Sequence, residues 1–268
     1  MPEVFEHQAY GLIKEVYEDI KYVLKVPIVN FIFRALAHYP EFLSYAWQQV
    51  RPNMLAINVE AASNELRFLN ITNISRYDFT KKYPLVTLNK IKKMLSVFHY
   101  VNPKLVLIAS AWVESISNRP IIGKSNVTGM IQPGVIKGMP QINLVHIPDA
   151  PYDTQQILLD IAKEHHSFDV ASDFRALANY PQFLSVSWMH LKTYIRGDEY
   201  SVLKSKLLNA SVDLVHQKMP YPVTVKIESL ANVYTSTQLS GIMGLLSMFQ
   251  NFLSGLILEV EYMRKMIQ

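Results

Sequence analysis

The chain of 268 residues has no cysteine, which excludes disulfides, thiolate metal ligands and cysteine nucleophiles and suits a reducing compartment. Charge is sparse. Only 18% of residues are Asp, Glu, Lys or Arg against 50% hydrophobic, too apolar for disorder and sufficient for one large core or two moderate ones. The net charge of +4 is scattered, densest at Lys90, Lys92 and Lys93, so the clustered basic footprint of a nucleic-acid binder is missing. No glycine-rich phosphate loop is present, and no Gly-x-Ser-x-Gly setting surrounds a serine. The start, Met1-Pro2-Glu3-Val4-Phe5-Glu6-His7, has neither the basic nor the apolar region of a signal peptide, and a cytoplasmic location is the expectation. Ser229 to Leu258 lacks charge entirely, long enough for a membrane span. Ser247, Gln250, Asn251 and Ser254 interrupt it, however, and Ile242, Leu245, Phe249, Leu253, Leu256 and Val260 recur at three- and four-residue steps. A buried helix is therefore expected there, and no membrane partner.

What is present is a phrase used twice. Phe33-Arg34-Ala35-Leu36-Ala37-x-Tyr39-Pro40-x-Phe42-Leu43-Ser44-x-x-Trp47 returns 141 positions later, from Phe174 to Trp188, with eleven of fifteen positions identical. A second echo, Leu95-Ser96-x-Phe98 and Leu246-Ser247-x-Phe249, has a spacing of 151. The ten extra residues are expected in a surface loop around Arg196 to Glu199 or before Tyr221-Pro222. Between the copies, residues 118–151 are rich in proline and glycine and read as a long linker. The organisation is thus a first helical repeat over 1–117, the linker, and a second helical repeat over 152–268, in one compact unit. Helices are expected over Gly11 to Leu24, Val29 to Ala37, Pro40 to Val50, Thr154 to Asn179 and Pro181 to Tyr194, each Tyr-Pro marking a break and a new start. Strand alternation is scarce, so the fold class is all-α, with the halves packed about a pseudo-twofold axis and a cavity between them.

The copies differ where chemistry would need it. Asn30-Phe31-Ile32 in the first is Ala171-Ser172-Asp173 in the second. On a helix Asp173 would share an apolar stripe with Asp169, Val170, Ala176 and Leu177, and such burial raises a carboxyl's pKa toward that of a general base. A buried acid paired with Arg34 or Arg175 is the other reading. Asn102, before Pro103, matches Leu253 by the second echo; a helix break there would aim its amide inward, or the residue is only a cap. Arg34 and Arg175, present in both copies, suit either a structural role toward linker and opposite half or a substrate carboxylate. His166, Asp169 and Asp173 form a weak metal-ligand pattern without a second cluster to complete it.

With Ala171-Ser172-Asp173-Phe174-Arg175-Ala176-Leu177-Ala178-x-Tyr180-Pro181, the duplicated phrase and the proline-rich connector, the chain resembles the group I 2-haloacid dehalogenases over nearly its whole length. The resemblance implies an all-helical intramolecular pseudo-dimer of two tandem repeats, with no cofactor and no metal. It implies hydrolysis of short 2-haloalkanoic acids to 2-hydroxy acids, by direct attack of water on C2 with inversion and without an ester intermediate. Asp173 would be the base, Asn102 would hold the water, and Ser172 would contact the substrate. Ala171 would leave room for both enantiomers. Arg175 is a further candidate for the substrate carboxylate, and Tyr17 and Tyr22 for the pocket wall. The expected partner is a small anionic substrate, with homodimerisation open. Two other readings are a helical binding protein that keeps the cavity without the reaction, and a metal-dependent hydrolase using His166 and Asp169.

Overall fold

The computed structural model describes residues 3–72, 74–123 and 126–268; Met1 and Pro2, which open the segment read for a signal peptide, lie outside them. Among the described residues every regular element is helical: α1 (Gly11–Leu24), α2 (Phe31–Leu36), α3 (Pro40–Met54), α4 (Ile57–Arg67), α5 (Leu85–Ile116), α6 (Tyr152–Glu164), α7 (Ser172–Leu177), α8 (Pro181–Ile195), α9 (Asp198–Lys218) and α10 (Ser236–Met266), with short 3-10 turns between. Local chemistry explains the boundaries. Ile13, Val16, Tyr17, Ile20, Val23 and Leu24 put one apolar face of α1 into the core, and Lys25 ends it in the left-handed region at φ 66°. His166, 141 positions on, closes the α6 segment in the same way at φ 50°. The single helix expected from Thr154 to Asn179 is therefore two, α6 and α7, just as α1 and α2 are separate. Pro40 and Pro181 each occupy the first turn of a helix, where a missing N–H costs no bond. Thr235 and Gln238 cap α10 reciprocally.

α5 and α10 pack along one another at the centre. Both are long and apolar enough to cross a bilayer by length and composition. Here Ile242, Phe249, Leu253, Leu256 and Val260 of α10 are buried against protein. The change of spacing from 141 to 151 has a different origin from the loop insertion expected. α9 starts in register with α4 but has 21 residues to its 11, so the extra length is helix. Ser211 on that extension meets Ser110 of α5 at 2.7 Å.

Residues 118–151 contain no α-helix among those described and join α5 to α6. They hydrogen-bond to segments before and after them in the chain, through Ile131 N to Leu55 O, Gly134 N to Tyr22 O and the paired Ile121 and Val223. The N-terminal segment and the end of this connector behave alike: Val4 N donates to Arg34 O, and Val145 N to Arg175 O. Two tyrosines interlock the chain. Tyr234, before α10, accepts hydrogen bonds from the N–H groups of Glu41 and Phe42 at the start of α3. Tyr83, before α5, accepts those of Gln182 and Phe183 at the start of α8.

Candidate functional site

All six residues of α7 are buried. Its second residue, Asp173, accepts a hydrogen bond on Oδ1 from Asn102 Nδ2 of α5 at 2.8 Å, and the two side chains are only 2% and 1% exposed. They face a small buried cavity, also lined by Asn30, Phe31, Ile32, Leu105, Ala171, Ser172, Phe249, Phe252, Leu253 and Leu256, with space for about one water molecule. Counterparts by sequence meet across it: Asn30 and Ala171, Phe31 and Ser172, Ile32 and Asp173, Asn102 and Leu253. The polar groups are few and specific. Asn102 Oδ1 and Asn30 Oδ1 are buried without a hydrogen-bond partner, so both are available to a water or a ligand.

Burial pushes the Asp173 carboxyl up to about 7, and the Glu259 carboxylate adds to the rise; the Asn102 hydrogen bond, the backbone amide of Asp173 and His165 act in the opposite direction. Behind the site, His165 packs on Phe174, Trp188 and Phe252 with Nε2 3.1 Å from Glu259 Oε2. Tyr200 donates to Glu259 Oε1 at 2.6 Å. Gly255 is required by that arrangement, because a Cβ there would come within 2.3 Å of the Tyr200 hydroxyl.

A cavity holding one desolvated carboxylate, one orienting amide and apolar walls suits base-assisted attack by water on an apolar carbon. Residues 27–174, more than half of the chain, match the family model described as "Halocarboxylic acid dehydrogenase DehI". The chain belongs to the DehI family. A configuration-inverting 2-haloacid dehalogenase of Alcaligenes xylosoxydans xylosoxydans is 30% identical over 97% of the chain and 91% of its own length. Another, from Pseudomonas sp. (strain 113), is 25% identical over 97% of the chain and 88% of its own length. In fold, the chain resembles a D-2-haloacid dehalogenase solved in complex with L-LA, at a TM-score of 0.91 and 24% identity, over 100% of this chain and 96% of that one.

The expectations at this DehI-family site fare unequally. Asp173, Asn102, Ser172 and Ala171 come together in the cavity. Asn102 gets there without the expected break, since α5 continues through Pro103. Asp169 is not on a shared helical stripe with Asp173, because it precedes α7 and pairs with Arg175 at 2.7 Å. Neither arginine pairs with Asp173. Arg175 is a correction as a carboxylate ligand: it also pairs with Glu3 at 2.9 Å and donates to Val145 O and Val170 O, and it lines no part of the cavity. Tyr17 and Tyr22 are also corrected. Tyr17 donates to Val4 O at 2.8 Å in the first-half core, and Tyr22 lies on the exposed side of α1, next to Val135 of the connector. Among the described residues no three His, Asp or Glu side chains gather into a metal-binding group, and His166 sits in the turn after α6.

Sequence reasoning missed Asn30, Phe249, Phe252 and the cavity faces of Leu105 and Leu256 in the DehI-family chain. The offsets held the signal for part of this set, because several residues at matching positions of the repeated phrase line the same cavity. A broad cleft bordered by Phe5, Pro27, Gln141 and Leu144 shares no lining residue with the Asp173 cavity.

Proposed function

We propose that the protein hydrolyses short 2-haloalkanoic acids to 2-hydroxy acids, with Asp173 activating a water that attacks C2 directly. The observation that carries this reading is the Asp173–Asn102 pair in a closed apolar cavity, together with the activity of the relatives. With its carboxyl pushed up to about 7, Asp173 is a stronger base than an ordinary aspartate and is still substantially ionised near neutrality. Asn102 fixes Oδ1, which leaves Oδ2 for the water, and Asn102 Oδ1 can accept the water's other proton. As the new C–O bond forms on the face opposite the halogen, the C–X bond breaks and its electron pair leaves with the halide. Asp173 takes the proton, and C2 is inverted.

Ser172 supplies a donor for the substrate carboxylate, and the small Ala171 supports acceptance of either enantiomer. The cavity as it stands is smaller than such a substrate, so Phe31, Phe249 and Phe252 must shift on binding. The reciprocal tyrosine contacts support reading the two sequence copies as an intramolecular pseudo-dimer with the site on its axis.

The test is chloride and bromide release from a panel of 2-haloacids of both hands, with Asp173→Asn as control. Release by the parent and none by the variant is expected. Silence on every acid overturns the reading. A single turnover in isotopically labelled water should put the label in the product at once; label appearing first in Asp173 would instead mean an ester.

A further inference from the structure

A serine hydroxyl offers two acceptor lone pairs and one proton. At Ser172 both acceptor positions are taken: the Phe31 N–H and Arg34 Nη1 each donate to Oγ at 3.1 Å. The Ser172 proton has no acceptor among the described residues, and the side chain, 1% exposed, borders the Asp173 cavity. This hydroxyl can therefore act toward the cavity only as a donor, and one made more acidic by the guanidinium behind it. Arg34 is itself fixed. Its Nε donates to Glu3 Oε2 at 2.7 Å, Nη1 also donates to Val29 O, and the Phe5 ring lies 5.7 Å away. The repeated arginine has a different task in each copy. Both share Glu3, Arg34 on Oε2 and Arg175 on Oε1, but beyond it Arg175 goes to Asp169, whose counterpart is Ile28, while Arg34 goes to Ser172, whose counterpart is Phe31.

We propose that Arg34 is a positioning residue for binding of the substrate carboxylate, acting across the two halves through Ser172. It keeps the serine from turning round to accept a bond from the ligand, and aims a polarised O–H at an anionic oxygen beside Asp173. Glu3 anchors the guanidinium in that pose. The assignment rests on the haloacid reading above and adds a residue outside the cavity wall.

A double-mutant cycle between Arg34 and Ser172 tests it. Arg34→Lys and Arg34→Gln are compared in the parent and Ser172→Ala backgrounds, with Glu3 kept because it also pairs with Arg175. Halide release from 2-chloropropionate gives kcat and KM, and calorimetry with propionate gives the Kd of the carboxylate alone. In the parent background KM and the propionate Kd should rise about tenfold, the effect of one charge-assisted hydrogen bond, with kcat changed much less. With Ser172→Ala present, the same Arg34 changes should add nothing. Equal effects in both backgrounds overturn the proposal, as does a variant that melts earlier yet binds propionate like the parent. If the parent binds propionate with this coupling but releases no halide, the haloacid reading fails and the role of Arg34 in carboxylate binding stands.

Discussion

At Asp173 two magnitudes compete. Removing a lone carboxylate from water costs several kcal/mol, whereas one hydrogen bond to a charged group returns about 1.5–3 kcal/mol. With Asn102 as its one side-chain donor the balance falls on the side of burial. The unfolded chain releases this proton near pH 4, as free aspartates do, while the folded protein holds it to about 7. Folded protein thus binds more protons between those values, and stability falls as pH rises through that window. Two outcomes follow for Asp173→Asn. Halide release should vanish, and urea unfolding at pH 8 should show a gain on the order of a few kcal/mol; a variant no more stable than the parent sinks the assignment of a desolvated base. In the parent, single-turnover rate should climb with pH around 7. Glu259→Gln removes a negative charge that raises Asp173, so the midpoint of that pH profile should move to lower pH, and an unmoved or higher midpoint contradicts the electrostatic account.

At the scale of the helix, Pro103 is the instructive case. A proline inside a helix strips the carbonyl four residues earlier of its N–H, and here that carbonyl belongs to His99. Arg67 of α4 replaces the missing donor, with Nε 3.1 Å from His99 O and Nη2 2.9 Å from Tyr100 O, and α5 runs on. Arg67→Met should destabilise the protein by about 2–4 kcal/mol in urea unfolding. Pro103→Ala in that background should recover part of the loss, and equal stability of the two would refute the compensation. This contact also marks the limit of what the sequence discloses. Helix starts at Pro40 and Pro181, the apolar face of α10 and the acid at Asp173 are legible, because each follows from local chemistry or from comparing one copy with the other. The rescue by Arg67, 36 positions before the proline, depends on a tertiary approach that no local pattern encodes. Tyr17 and Tyr22 fail for the same reason: an aromatic on a helix can face the core, the solvent or a site, and spacing alone does not choose.

At the scale of the molecule, Tyr83 and Tyr234 tie the start of each long helix to the opposite half. Tyr83→Phe and Tyr234→Phe each leave two helix-start N–H groups without their acceptor, at a cost of about 1–2 kcal/mol. Calorimetry should still record a single transition in both variants, since the halves share one core; two separate transitions would show them to be independent. The lining of the Asp173 cavity carries a further consequence. Ile32 and Asp173 look into the same space, so position 32 is not a second, separate place in which an acid could be installed. An aspartate at position 32 would be a rival anion in one small buried cavity, where two neighbouring carboxylates hold on to a shared proton. The cavity has room for one base, and the apolar side chain of Ile32 beside it is what allows that base to ionise.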